Sequence, residues 1–272
     1  FAAIDGKPAL VAAFANSGID GSDAPLGLGV STDRKDPDQY LVSLGLGGLG
    51  LPDRDYYLNQ DARFAKIREA YLAHIQRMLG FAGVSGTDAK ARAEAILALE
   101  TALAKPQWDR VKLRDRDKTY NVVSFAELKA RYPGYDWDAQ LRGQGMPVPE
   151  RLNIPTPDAV QPVIDVINAT PLATWRDYLA FHAIDGNAGF LSREIDDASF
   201  AFNGKVLGGQ KAQRDDWNGL SVLHTAAARV GGLDLGFVPG EGGLDAAGMA
   251  KAGALDVLFN LGADEIDIAP GA

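Results

Sequence analysis

The side chains of this sequence best suited to move a proton or bind a metal near neutral pH are its three histidines, His74, His182 and His224. No two of them lie three or four residues apart, and no H-E-x-x-H occurs, so a helix-borne zinc centre cannot be assembled from this chain. His74 and His182 fall in amphipathic helical stretches with no nucleophile placed beside either, and both are expected to be packed or surface histidines. Gly45-Leu-Gly-Gly-Leu-Gly50 has the form G-x-G-x-x-G after a strand-like run. A dinucleotide site also needs the third glycine to open a helix that holds the pyrophosphate. Here Pro52-Asp53-Arg54-Asp55 follows, so the glycines are expected to form a structural turn with Pro52 inside it. Asp53 and Asp55 flank Arg54, and Asp115 and Asp117 flank Arg116; alternating signs of this kind belong to a solvated or locally paired surface. There is no G-x-S-x-G elbow and no G-x-x-x-x-G-K-[ST] loop. The absence of cysteine excludes disulfides, thiolate metal sites and cysteine nucleophiles. No catalytic, cofactor-binding or metal-binding residue is therefore assigned.

The composition bounds what such a chain can be. At 272 residues it holds one or two domains, and 46% hydrophobic residues suffice for a sizeable core. Aromatics are 8% and alanine is abundant, which favours helix. The net charge of −9 supplies no overall basic face for phosphates, so nucleic acid is not an expected partner. No run of eighteen apolar residues occurs, so no membrane span is expected. The sequence begins at Phe1, and any signal peptide or anchor would lie upstream of it.

Periodicity places the elements. A weak helical pattern over 3–18 surrounds Leu10, Val11 and Phe14 and is broken by Gly18, Gly21, Pro25 and Gly27. Tyr40–Leu44 reads as a short strand. Phe64, Ile67, Tyr71, Ile75 and Met78 share one helical face, with Asp61 as N-cap and Gly80 or Gly83 as stop. A helix over 87–105 carries Ala93, Ile96, Leu97, Glu100 and Leu103 on one side and ends at Pro106. Ser124-Phe-Ala-Glu127 is a capping box, and Pro133 closes its helix. Thr156-Pro157 and Thr170-Pro171 each place a capping hydroxyl before a proline. On that reading, Thr156→Ala would lose on the order of 1 kcal/mol of capping. Ser192 is expected to cap a helix through Phe202. From Trp217 the texture changes, with a helix over 220–230, a glycine-rich stretch and an apolar strand, Leu255–Leu261. The fold expected is mainly α with a small α/β-like C-terminal segment.

Gly47-Gly-Leu-Gly-Leu-Pro-Asp-Arg-Asp-Tyr-Tyr-Leu58 resembles the signature of the neprilysin and endothelin-converting-enzyme zinc metallopeptidases. The flanking pieces follow in the family's order: Lys35–Asp38 before it, then Ala98–Ala104, Tyr120-Asn121, Asn153–Asp158 and Phe202–Gln210. The resemblance covers about residues 2–216. It implies the helical cover that encloses the active-site chamber and restricts entry to small peptides. The zinc ligands and catalytic glutamate of such enzymes belong to a later domain, so zinc is the family's cofactor with none expected here. The implied partners are a peptide substrate and a catalytic zinc-binding domain or chain. The implied compartment is periplasmic or extracellular.

Residues 217–272 are similar instead to the large iron–sulfur subunit of bacterial respiratory complex I (NADH–quinone oxidoreductase), without that domain's cluster-ligating cysteines. Two domains follow: 1–216, neprilysin-like, and 217–272, a fragment of an α/β domain, joined as a composite or chimera. Poor packing across the join is expected, because the lone strand Leu255–Leu261 lacks partners. The competing functions are a fragment of the NADH–quinone oxidoreductase, or a structural or interaction module without activity.

Overall fold

The computed structural model describes residues 1–213. The expectations for 217–272, including the strand Leu255–Leu261, His224 and the packing of the join, lie outside the described residues.

Two long helices form the centre. α3 (Ala62–Phe81) and α4 (Gly86–Ala104) are joined by a tight turn. Gly83 takes φ +83° there, a conformation strained for residues with a Cβ, and the Val84 amide closes the turn on the Leu79 carbonyl. Tyr71, Ile75, Met78 and Leu79 of α3 are buried, as are Ile96, Leu99 and Leu103 of α4. α8 (Pro157–Ala169) and α9 (Leu172–Gly186) complete the layer, burying Val160, Val163, Ile164, Trp175, Tyr178 and Phe181. Each large apolar side chain so buried contributes roughly 1.5–3 kcal/mol. α1 (Lys7–Asp20) packs Phe14 edge-on against Trp175, with ring centroids 5.0 Å apart. It runs through Gly18, contrary to expectation, and stops at Gly21, whose φ of +74° ends the helical hydrogen bonding.

The caps divide. Ser124 and Glu127 close the capping box that opens α6 (Phe125–Arg131). Thr156 precedes α8, and Pro157 is its first residue, but the Thr156 side chain makes no capping bond. Thr170 instead terminates α8, its hydroxyl donating to the Val166 carbonyl, and Pro171 stands at the N-cap of α9. Ser192 precedes α10 (Arg193–Ser199) without a side-chain cap, and the chain continues as a π-helix over Phe200–Leu207.

The sheet is larger than the sequence suggests. Its order is β1-β2-β4-β3, with β1 (Leu26–Asp33), β2 (Asp36–Leu46), β3 (Val122–Ser124) and β4 (Arg151–Asn153). β1 and β2 form an antiparallel hairpin, and β2 meets β4 in parallel only at Val42 and Ser43. Gly27 reads as a breaker, yet it sits within β1 opposite Gly45, as Gly29 does opposite Ser43. The alternation of Leu26, Leu28 and Val30 is the period-2 signal that outweighs them. β2 extends past the expected Tyr40–Leu44 because β1 pairs with it from Asp36 to Leu46.

Candidate functional site

The turn after β2 does not open a nucleotide-binding helix. Gly45 still lies in the strand, and Gly48 takes φ +82°. Leu51 to Arg54 then bend into α2 (Asp55–Leu58), a single helical turn. What this stretch does is lie over a buried carboxylate. Glu100 occupies an apolar-face position of α4 and has no exposed surface. Four donors, from three helices and the turn after β2, meet its two oxygens. Tyr57 Oη of α2 donates at 2.6 Å, Tyr71 Oη of α3 at 2.9 and 3.0 Å, and His182 Nε2 of α9 lies at 2.8 Å. The Gly50 amide adds a longer contact at 3.4 Å, and the neighbouring Leu51 amide donates to Tyr57 Oη at 2.9 Å. Gly50 must be glycine, because a Cβ would lie 1.9 Å from Tyr71 Oη.

A buried carboxylate is tolerable only when paired and fully hydrogen-bonded, and this one is both. Burial opposes charge on His182, but the hydrogen bond and charge of Glu100, with Asp23 and Asp185 behind it, outweigh burial and raise its pKa above the ordinary 6.5. Burial and then the Glu100 charge push Tyr57 and Tyr71 well above 10, so both remain O–H donors. The same burial raises Asp23.

A second network adjoins the first through α9. Asp185 accepts from His74 Nε2 of α3 at 3.0 Å, from Ser199 Oγ at 2.9 Å and from Asn203 Nδ2 at 3.2 Å. Burial would raise Asp185, but these donors, His74 first, hold it below the usual carboxylate range. The His74 ring stacks on Phe202 at 4.8 Å and 16°. The Phe202–Gln210 stretch is thus locked to α3 and α9 by its first two residues.

The arrangement holds a loop in place. Glu100 is closed to solvent, and its lone pairs face donors already in place. His74 and His182 are packed residues, each spending a ring nitrogen on a carboxylate. Among the described residues no cluster of three His, Cys, Asp or Glu could hold a metal ion, so these residues do not fit a zinc site. The acidic pairs are local: Asp53 meets Arg110 at 2.8 Å, and Asp115 meets Lys118 at 2.9 Å. The residue that sequence reasoning passed over is Glu100. Its signal was present, a charge in register with Ala93, Ile96 and Leu103 on an apolar face. A separate cavity of about 290 Å³ opens between the sheet and the 113–120 segment, with Asp33, Arg34, Tyr120 and Asn153 in its wall.

The model of peptidase family M13, in its N-terminal part, matches residues 4–231. Endothelin-converting enzyme 1 of Cavia porcellus is 28% identical over 193 residues, which are 69% of this chain and 26% of that protein. Among solved structures, the Mycobacterium tuberculosis zinc metalloprotease Zmp1 in its open state superposes with a TM-score of 0.77 at 30% identity, over 95% of this chain and 39% of that one. Its inhibitor complex gives 0.76 at 32% identity, over 84% of this chain and 35% of that one. The chain therefore spans about a quarter of the length of the curated relatives it matches. The similarity of 217–272 to a complex I subunit gains no support from these comparisons. The family match instead runs on through 217–231, which that reading had assigned elsewhere. By sequence over most of its length and by fold over its described residues, the chain belongs to peptidase family M13.

Proposed function

We propose that this chain is the non-catalytic helical portion of a zinc metalloendopeptidase, enclosing the active-site chamber and admitting only small peptides. The observation that carries the reading is the match of residues 4–231 to the N-terminal part of peptidase family M13. The fixed anchoring of the 47–58 stretch supports it, since a cover must keep its shape while it moves. The solution of the relative Zmp1 both open and with an inhibitor bound supports a part that opens and closes. Zinc and its ligands would come from a catalytic domain or chain beyond this one, acting on peptides in the periplasm or outside the cell. Among the described residues no helix is long and apolar enough to cross a membrane. A boundary near residue 216 between the cover and a distinct C-terminal segment belongs to the same proposal, beside a compact unit that ends at Ala212.

The test joins this chain to the zinc-bearing remainder of a family member. The joined protein should cleave short peptides in a chelator-sensitive way and leave folded proteins intact, and this chain alone should cleave neither. Chelator-sensitive cleavage by this chain alone, or equal cleavage of folded proteins once joined, overturns the proposal.

A further inference from the structure

The segment from Lys105 to Lys118 is basic in a chain that is acidic overall. It carries six Lys and Arg against three Asp, a net +3 in a chain whose total is −9. At its centre lies α5 (Arg110–Leu113), which presents Val111 at 78% and Leu113 at 47% exposure. Adjacent exposed apolar side chains rimmed by charge are a mark of an interaction site. Three of the cations have partners: Arg110 meets Asp53, Lys112 meets Asp158 and Lys118 meets Asp115. Arg114 and Arg116 are exposed and make no ion pair among the described residues. Arg54, whose charge acts on Asp109 at the base of α5, has a buried Nε with no hydrogen-bond partner among the described residues. Leu113 is also a wall of the 290 Å³ cavity, beside Arg34 and Tyr120. Lys35 Nζ lies 4.4 Å above the Tyr120 ring. The apolar centre, the unpaired cations and the cavity are therefore continuous.

We propose that this surface docks an extended acidic peptide. An apolar side chain of the peptide lies on Val111 and Leu113, its carboxylates face Arg114 and Arg116, and one side chain enters the cavity. Electrostatics favours this ligand class. Arg114 and Arg116, exposed and without an ion pair among the described residues, supply positive charge in a chain that is acidic overall, and this draws such a peptide to them. A nucleic-acid backbone fits worse, because Asp109, Asp115 and Asp117 interrupt the cations at close intervals. The inference does not depend on the cover reading, since binding is a property of this chain alone.

Fluorescence anisotropy on the full chain tests it, using a labelled peptide of alternating Glu and Leu and a matched peptide of alternating Lys and Leu. The acidic peptide should bind, more weakly as salt shortens the screening length to about 8 Å, and the basic one should not. Arg114→Glu with Arg116→Glu should weaken binding about tenfold or more. Val111→Ser should weaken it several-fold with the salt dependence unchanged. All three positions are exposed, and circular dichroism verifies that the variants fold. Three results each overturn the proposal: no binding of the acidic peptide, binding unaffected by the double charge reversal, or a dimer of this chain that the reversal dissociates. The last would make a second copy the occupant.

Discussion

At the scale of single residues, Glu100 sets the energetics of the interior. Removing its charge leaves His182 and two tyrosine hydroxyls facing a weaker acceptor in a closed site. Breaking one partner of a buried ion pair destabilises a protein by about 3–5 kcal/mol, and Glu100→Gln should lie near the lower bound because the amide oxygen still accepts one bond. Urea unfolding of the two proteins measures this; a loss under about 1 kcal/mol would mean that the carboxylate contributes only bulk. Tyr178 is the opposite case. It is fully buried against the His182 ring, 4.3 Å between centroids, and its hydroxyl has no hydrogen-bond partner among the described residues. Tyr178→Phe removes that unmet donor and keeps the ring, so it should be neutral or stabilising by up to about 1 kcal/mol. A clear loss of stability would show that the hydroxyl has a partner after all. Neither site could be assembled from sequence. The histidines and the acid are separated by 82 positions for Glu100–His182 and 111 for His74–Asp185. Spacing rules work within one helix and say nothing about which helices meet. Glu100 was nonetheless marked by its place on an apolar face.

At the scale of elements, helices were more legible than strands. α3 carries 3.6-residue periodicity and α4 is rich in alanine, a strong helix former, and the bounds of both lie within a residue or two of those expected. β1 was hidden because Gly27 and Gly29 are poor strand formers in isolation, and only pairing with β2 makes the hairpin. β3 and β4, of three residues each, are too short to announce themselves. Hydroxyl-before-proline pairs were read as caps, but the backbone at Thr156 (φ −131°, ψ 69°) does not direct its side chain to the helix amides. The capping energy therefore belongs to a different position. Ser124 accepts from the Glu127 amide at 3.2 Å, and the Glu127 carboxylate accepts from the Ser124 amide at 2.8 Å. Ser124→Ala should lower stability by about 1 kcal/mol, whereas Thr156→Ala should leave helix capping unchanged. Denaturant midpoints for the pair decide this, and the reverse ranking would refute the assignment.

At the scale of the whole molecule, these pKa shifts predict how stability follows pH. His182 is raised above 6.5, so the folded state binds its proton more tightly than the unfolded chain does. Its contribution is complete below about 6.5, where both states are protonated, and is lost as pH rises through the folded value. Asp185 is lowered from 3.8, which gives the opposite limb: its contribution is present above 3.8 and is lost as pH falls through the folded value. Asp23 is raised from 3.8 by burial, so it works with His182 and weakens the fold once pH has climbed past its folded value. Stability should therefore be greatest on the acid side of neutrality and decline toward alkaline pH. The decline needs a cause specific to one side chain to be informative, and His182→Gln provides it. Glutamine can donate one hydrogen bond to Glu100 but cannot titrate. The variant should be less stable than the parent below about pH 6.5, and the difference between them should shrink as pH rises above that value. Thermal melts of both proteins from about pH 5 to pH 9 supply the comparison. Parallel curves, with a constant gap across that range, would mean that folding leaves the proton affinity of His182 unchanged, so that Glu100 does not hold the proton on its ring.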